Sequence, residues 1–331
     1  MDPHPQSPVV TTTRQDSTLT AKDGHQIPIY RWAPSPASTA PLGVVHVCHG
    51  MAEHAGRYEE LAKCLSECGL VTIAHDHRGH GRCVATGMAG LYADDDGWSR
   101  VTGDVGDVQA YIAKEYPSLP VFLLGHSMGS FIVQGYLIEN SPPPSLTGLI
   151  LSGSNLDKPV RLKVLHHLVT LIRLWRGKHG ISPLIHKLTF AAFAKSVSGA
   201  ETEFDWLSSD RSEVQDYIDD PLCGFQCTVQ LWHDFTGGLA TISQPANLAK
   251  IPTALPVYLL AGERDPVGAF GTGPRLLAEA YRQAGHTDVE LSLYPSMRHE
   301  PFHEHEHEAV FADLWNWLER HLRRSEGAAA P

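Results

Sequence analysis

Long apolar runs are missing from this chain. No stretch of its 331 residues reaches the about 18 consecutive apolar residues of a spanning helix. A helical integral membrane protein is therefore excluded. A basic excess is missing too: 26 Lys and Arg stand against 37 Asp and Glu, a formal net charge of -11. Nucleic-acid binders usually carry a basic footprint, so no nucleic-acid partner is expected. The first residues, MDPHPQSPVVTTTRQDST, have neither the basic start nor the apolar centre of an export signal. Cysteine is sparse: six residues, at 48, 64, 68, 83, 223 and 227. Without an export signal, reduced thiols and a cytoplasmic location are expected. Cys64/Cys68 and Cys223/Cys227 are each one helical turn apart and read as plain helix residues, since zinc knuckles use other spacings and further ligands. No internal repeat is present. What is there is a 42% hydrophobic fraction, too apolar for disorder.

Short apolar runs alternate with helix-like segments. Residues 43–49, 70–75, 120–126, 146–153, 256–262 and 289–295 read as strands, apolar on both faces as buried parallel strands are. Helical patterns at 58–69, 101–116 and 127–140 lie between the first four, a βαβ rhythm. Residues 18–34 alternate around Asp23-Gly24 and read as an antiparallel hairpin. The rhythm breaks from about 154 to 238, where the pattern is helical throughout. The predicted organisation is a disordered tail over 1–17, an α/β core over 18–153 and 239–323, an inserted helical cap over 154–238, and a frayed end over 324–331.

Gly125-His126-Ser127-Met128-Gly129 is a G-x-S-x-G set between a strand and a helix. A sharp turn there strains the central residue and exposes its hydroxyl above the sheet. A Ser hydroxyl needs a base to become a nucleophile. On this topology an acid and then a His follow in the chain. Asp265 follows a late strand, and His299 lies after the last one. Glu263 reads as part of the turn, and His303, His305 and His307 as the start of the final helix. An oxyanion needs two donors. The Met128 N–H follows the nucleophile, and the Met51 N–H sits in the loop after an early strand. Asp76, Arg78 and His80 read as a loop-fixing cluster, His126 as structural, and Glu53, His54, Arg57 and Tyr58 as braces of the oxyanion loop. His303 and His307 would share a helix face. They lack the H-e-x-x-H order, and the triad needs neither metal nor cofactor.

On HGMAEHAGRY (49–58), AHDHRGHG (74–81), EYPSLPVFLLGHSMGS (115–130), LLAGERDPVG (259–268) and YPSMRHE (294–300), the chain resembles the α/β-hydrolase superfamily. Within it, the likeness is to the monoacylglycerol lipase / lysophospholipase-like group. Cys83 departs from the Ser common at that place. The resemblance implies a mostly parallel central sheet flanked by helices, with an inserted helical cap. It also implies a triad at Ser127, Asp265 and His299, an oxyanion hole at Met51 and Met128, and a monoacylglycerol or lysophospholipid substrate.

The cap carries its own signal. Residues 158–195 hold eight Lys or Arg and no acid, and residues 201–220 hold eight acids against Arg211. Val160, Val164, Leu168, Leu171, Ile172 and Trp175 recur at helical spacing among the cations, the composition of an interfacial helix. One reading is a two-part cap whose halves attract and whose apolar face roofs a pocket. The other is a lid that makes peripheral contact with an anionic membrane. Leu184, Leu188 and Phe193 are the candidate pocket walls. The expected activity is serine carboxylic-ester hydrolysis of a lipid-like, single-chain acyl ester. A short-chain esterase or thioesterase with the same triad, a peptidase clamping an amine with the acidic half, and a catalytically silent hydrolase-fold receptor stay open. The oligomeric state is not set by the sequence.

Overall fold

The structure is a computed structural model that describes residues 12–34 and 40–329. It opens with an antiparallel hairpin, β1 (Thr12–Thr20) and β2 (Gln26–Pro34). Then come β3 (Gly43–Cys48), α1 (Glu59–Glu67), β4 (Leu70–His75), α2 (Gly97–Glu115), β5 (Val121–His126), α3 (Met128–Glu139) and β6 (Leu146–Ser152). A helical stretch follows: α4 (Pro159–Arg176), α5 (Pro183–Leu188), α6 (Phe190–Ser196), α7 (Arg211–Asp219), α8 (Val229–Ile242) and the short α9 (Pro245–Leu248). The chain closes with β7 (Val257–Gly262), α10 (Thr272–Gln283), β8 (Val289–Tyr294) and α11 (His307–Ala329).

The strands form one eight-stranded sheet in the order β1-β2-β4-β3-β5-β6-β7-β8. β3 to β8 run parallel, and β2 joins β4 antiparallel. This is the α/β-hydrolase architecture. Its central strands, GVVHVC, LVTIAH, VFLLGH and VYLLAG, are buried at every residue because helices cover both faces. On one face Val101, Ile132, Leu149 and Leu259 pack among α2, α3, α8 and α10. On the other, Phe122, Tyr258 and Trp317 pack among α1 and α11. Burying each such side chain contributes about 1.5–3 kcal/mol. His46, Thr72, His75 and His126 are the polar residues within these strands. Gln109, His46 and His75 form a buried hydrogen-bonded chain (2.8 and 3.0 Å), and burial keeps both imidazoles far below their usual basicity.

The ends of the predicted segments shift. β1 begins at Thr12, so residues 12–17 belong to the hairpin and not to the expected tail. They form an edge strand whose polar, largely exposed residues gave no alternation. Residues 1–11 of that tail lie outside the described residues. α11 runs on through 324–329, where a frayed end was expected. The expected boundary at 238/239 falls inside α8, which continues to Ile242 and packs against both α3 and α4. Cys64 and Cys68 sit at the end of α1, but Cys223 and Cys227 lie in the loop between α7 and α8, where Pro221 and Gly224 interrupt the helix. All six cysteines are free. Among the described residues no helix is long and apolar enough to cross a membrane.

Within α4 the predicted apolar stripe divides. Val169 and Ile172 are buried with Ile185 and Val229, and Leu168 packs beside them. Val160, Val164, Leu171, Leu174 and Trp175 stand 65–80% exposed. Among the described residues, no Lys or Arg of 158–195 forms an ion pair with an acid of 201–220, and the contact between the two halves' ionisable groups is His186 to Glu203 (3.9 Å). Lys178 instead reaches Asp95 (2.6 Å), and Arg161 reaches Asp157 (3.3 Å).

Candidate active site

The six parallel strands end at one side of the sheet, where ligands gather in such folds. Ser127 follows β5 with φ 48° and ψ -119°, a region L residues rarely occupy. Small neighbours make the turn feasible. A Cβ at Gly125 would stand 2.6 Å from the Gly129 carbonyl oxygen, and one at Gly129 would collide with the Cys48 carbonyl. The Ser127 N–H donates to Ser152 O (2.9 Å), tying the turn to β6. Asp265 follows β7, and His299 follows β8.

The three side chains meet in one line. The Ser127 hydroxyl donates to His299 Nε2 (2.8 Å), and His299 Nδ1–H donates to Asp265 Oδ2 (2.9 Å). A carboxylate at Nδ1 selects this tautomer. Asp265 Oδ1 also accepts the Val267 N–H (2.8 Å). His299 and Asp265 are 2% and 1% exposed, so both are shielded from water. Burial works against an imidazolium, but Asp265 and then Glu300 and Glu53 outweigh it and raise the basicity of His299.

The loop after β3, which contains Met51, is braced by Glu53, His54, Arg57 and Tyr58. Glu53 Oε1 accepts the Gly50 N–H and the Tyr58 hydroxyl (3.1 Å). Arg57 binds Glu53 Oε2 (2.8 Å) and both oxygens of Glu300 (2.8 Å each). Glu53 and Glu300 are buried, and the Arg57 side chain keeps 10% exposure. Burial raises Glu53, whereas the Arg57 guanidinium overrides burial and holds Glu300 far below the carboxylate range. The Ala52 carbonyl accepts the Tyr217 hydroxyl (2.8 Å) and the Gly224 N–H (3.0 Å), so α7 and the loop after it grip this loop. His54 Nε2–H donates to Asp220 (2.8 Å). Met51 lies in the loop, and Met128 opens α3 with its N–H outside the helix ladder.

The other candidates separate cleanly. Asp76 accepts from the Ala55 N–H (2.9 Å), the Arg82 N–H (2.8 Å) and the Tyr30 hydroxyl (2.9 Å), and Arg78 is forked onto Asp104 (2.6 and 2.7 Å). These residues fix loops. His126 donates or accepts at Ser152 Oγ (3.1 Å) beside the His299 ring. Glu263 pairs with Arg275 at the surface. His303 and His307 do not share a helix face: residues 301–303 form a 3-10 turn, and α11 starts at His307. His303 faces Arg57 O, His305 faces Asp210 and His307 faces Glu60. Leu184 and Leu188, expected as pocket walls, are 47% and 50% exposed, because the face of α5 that packs inward carries Ile185. Phe193 is half-buried against Trp206.

Sequence reasoning missed Trp206. Its ring lies 5.2 Å from the His299 ring, and its carbonyl accepts the His299 N–H (3.4 Å). A single Trp in an acidic, polar run was the one available signal.

A family model described as serine aminopeptidase, S33, matches residues 39–306, most of the chain. The chain belongs to that family. It is a serine hydrolase of the α/β-hydrolase type, in the lipase and esterase class. The hydrolase is 28% identical to a monoacylglycerol lipase of Mycolicibacterium smegmatis, over 95% of this chain and 100% of the relative. It is 30% identical to the monoglyceride lipase of Mus musculus, over 85% and 82% of the two chains. Among solved structures, a thermostable carboxyl esterase from Bacillus coagulans in complex with glycerol superimposes with a TM-score of 0.85. That match has 28% identity and covers 94% of this chain and 100% of the other.

Proposed function

We propose that the hydrolase cleaves single-chain acyl esters, monoacylglycerols or lysophospholipids, through an acyl-enzyme on Ser127. The Ser127–His299–Asp265 line carries the reading. His299 Nε2 takes the hydroxyl proton as Ser127 Oγ attacks the ester carbonyl. The Met51 and Met128 N–H groups bind the oxyanion, and Asp265 steadies the imidazolium. His299 then protonates the departing alkoxide. In the second half it deprotonates water, which releases the fatty acid and frees Ser127.

The exposed apolar residues of the cap support a lipid substrate. Val160, Val164, Leu171, Leu174, Trp175, Ile181, Leu184 and Leu188 stand exposed among Lys158, Arg161, Lys163, Arg173, Arg176, Lys178 and Lys187. A surface of this composition fits peripheral contact with an anionic bilayer, from which a single-chain lipid is taken. The names of the relatives point the same way. A peptidase reading is disfavoured because acids of 201–220 are engaged elsewhere: Glu201 with Arg211, Asp210 with His305 and Asp220 with His54.

A panel of monoacyl esters of graded chain length tests the proposal. The expected kcat/KM maximum lies at long chains and disappears in Ser127→Ala. A maximum on two- to four-carbon acyl esters or on thioesters would replace it with the short-chain esterase or thioesterase reading.

A further inference from the structure

Residues 205–210 run between α6 and α7 without helical structure, and they lie over the loop that carries His299. The Trp206 and Leu207 carbonyls accept the N–H groups of His299 (3.4 Å) and Glu300 (2.8 Å). The Arg298 guanidinium donates to the Ser208 carbonyl (2.8 Å) and to that of Asp205. The Ser208 hydroxyl donates to His303 O (2.6 Å). The segment is thus held rigidly, and with it the Trp206 side chain.

That side chain is 5% exposed. It stacks on Phe190 (5.6 Å, 15° between planes), meets Phe193 at 5.4 Å and tilts against the His299 ring at 5.2 Å. Its indole N–H is buried and has no hydrogen-bond partner among the described residues. A buried donor without an acceptor is costly and calls for a reason. Trp32 and Trp317 share the lack, but both lie in the core among α1, α11 and the sheet. Trp206 is the one that covers the base.

The position of the base sets what can come near. His299 Nε2 faces Ser127 Oγ, and the departing alkoxide must reach the same nitrogen to be protonated. The rest of the alcohol therefore lies beside the imidazole, under whatever covers it. A polyol places a second oxygen one carbon further on, whereas a simple alkyl alcohol places only carbon there. Resting on the ester-hydrolase reading above, we propose that Trp206 is a specificity-determining residue whose indole N–H donates to a hydroxyl oxygen of a diol-type leaving alcohol. The donor then favours alcohols that carry that oxygen, because only they supply the acceptor that the free protein leaves missing.

The test compares two esters of one fatty acid, the glycerol monoester and the ethyl ester, on the full chain. Both form the same acyl-enzyme, so any difference belongs to acylation. Trp206→Phe keeps a ring against Phe190 and His299 and removes the N–H. The expected result is a loss of about tenfold in kcat/KM on the glycerol ester, one net hydrogen bond, with the ethyl ester changed by less than about twofold. Equal losses on both esters, or no loss on either, would overturn the proposal. A wild-type comparison is independent of how the variant folds. The propane-1,2-diol monoester should be preferred over the propyl ester by about tenfold, and equal rates would also overturn it. Labelling by a fluorophosphonate separates the two levels: a wild-type protein that neither labels nor turns over any ester refutes the triad reading itself, whereas a labelled enzyme blind to the diol refutes only the role of Trp206.

Discussion

Arg57 grips both oxygens of Glu300, the residue next to His299, while the same guanidinium binds Glu53 in the loop after β3. One largely shielded cation therefore joins the two loops. Arg57→Ala leaves two buried carboxylates facing each other. The expected loss of stability is about 3–5 kcal/mol, read by chemical denaturation. Arg57→Lys keeps the charge but not the fork, and should recover only part of it. A loss below about 1 kcal/mol in the alanine variant would show that the ion pair does not hold the site.

The basicity of His299 sets the acid side of the activity profile. Only the neutral imidazole can take the Ser127 proton, so activity falls as pH drops through its pKa. Asp265, with Glu300 and Glu53, raises that pKa above the usual 6.5. The acid limb of kcat/KM should therefore lie above 6.5. In Asp265→Asn it should move to lower pH while the rate drops by about 10³–10⁴. An unshifted limb in the variant would assign the titration to another group.

Ser127 sits at positive φ without being glycine. Ser127→Gly and Ser127→Ala both lack the nucleophile and should both lose activity and fluorophosphonate labelling. Only glycine tolerates this backbone without strain, so Ser127→Gly should be more stable by about 1 kcal/mol or more. Equal melting temperatures would mean that the turn is not strained.

Trp175, Leu171 and Leu174 are among the most exposed apolar side chains of the molecule. The hydrolase should co-sediment with anionic vesicles, and less so as salt is raised. The triple change to Ser should weaken that binding at least tenfold, since each large apolar side chain contributes about 1.5–3 kcal/mol when buried. Turnover of a soluble ester should be unaffected. Equal recovery with neutral vesicles would remove the charge term from the proposal.

Much of this fold is legible in the sequence because buried parallel strands are apolar on both faces, and GVVHVC or VYLLAG carry that pattern without ambiguity. Ser127, Asp265 and His299 are legible because each follows the end of a strand. β1 is not, since an exposed edge of Thr, Arg, Gln, Asp and Ser looks like a polar tail. The loop around Cys223 and Cys227 is hidden by a spacing that suits a helix. Leu184 and Leu188 are misplaced because helical spacing gives a stripe but not the side it faces. Trp206 is invisible for a different reason: it meets His299 across 93 residues of chain, and no local pattern encodes such a contact.

The fastening of residues 205–210 to the loop of residues 298–303 limits how this enzyme can diversify. The helical stretch between β6 and β7 is not an interchangeable module. Exchanging it whole would carry away the carbonyls that receive the N–H groups of His299 and Glu300. New specificities, whether evolved or engineered, must be written into α4 to α6 while that short strap is left in place. A chimera that keeps its own residues 205–210 should inherit a working base, and one that imports a foreign strap should have to rebuild it.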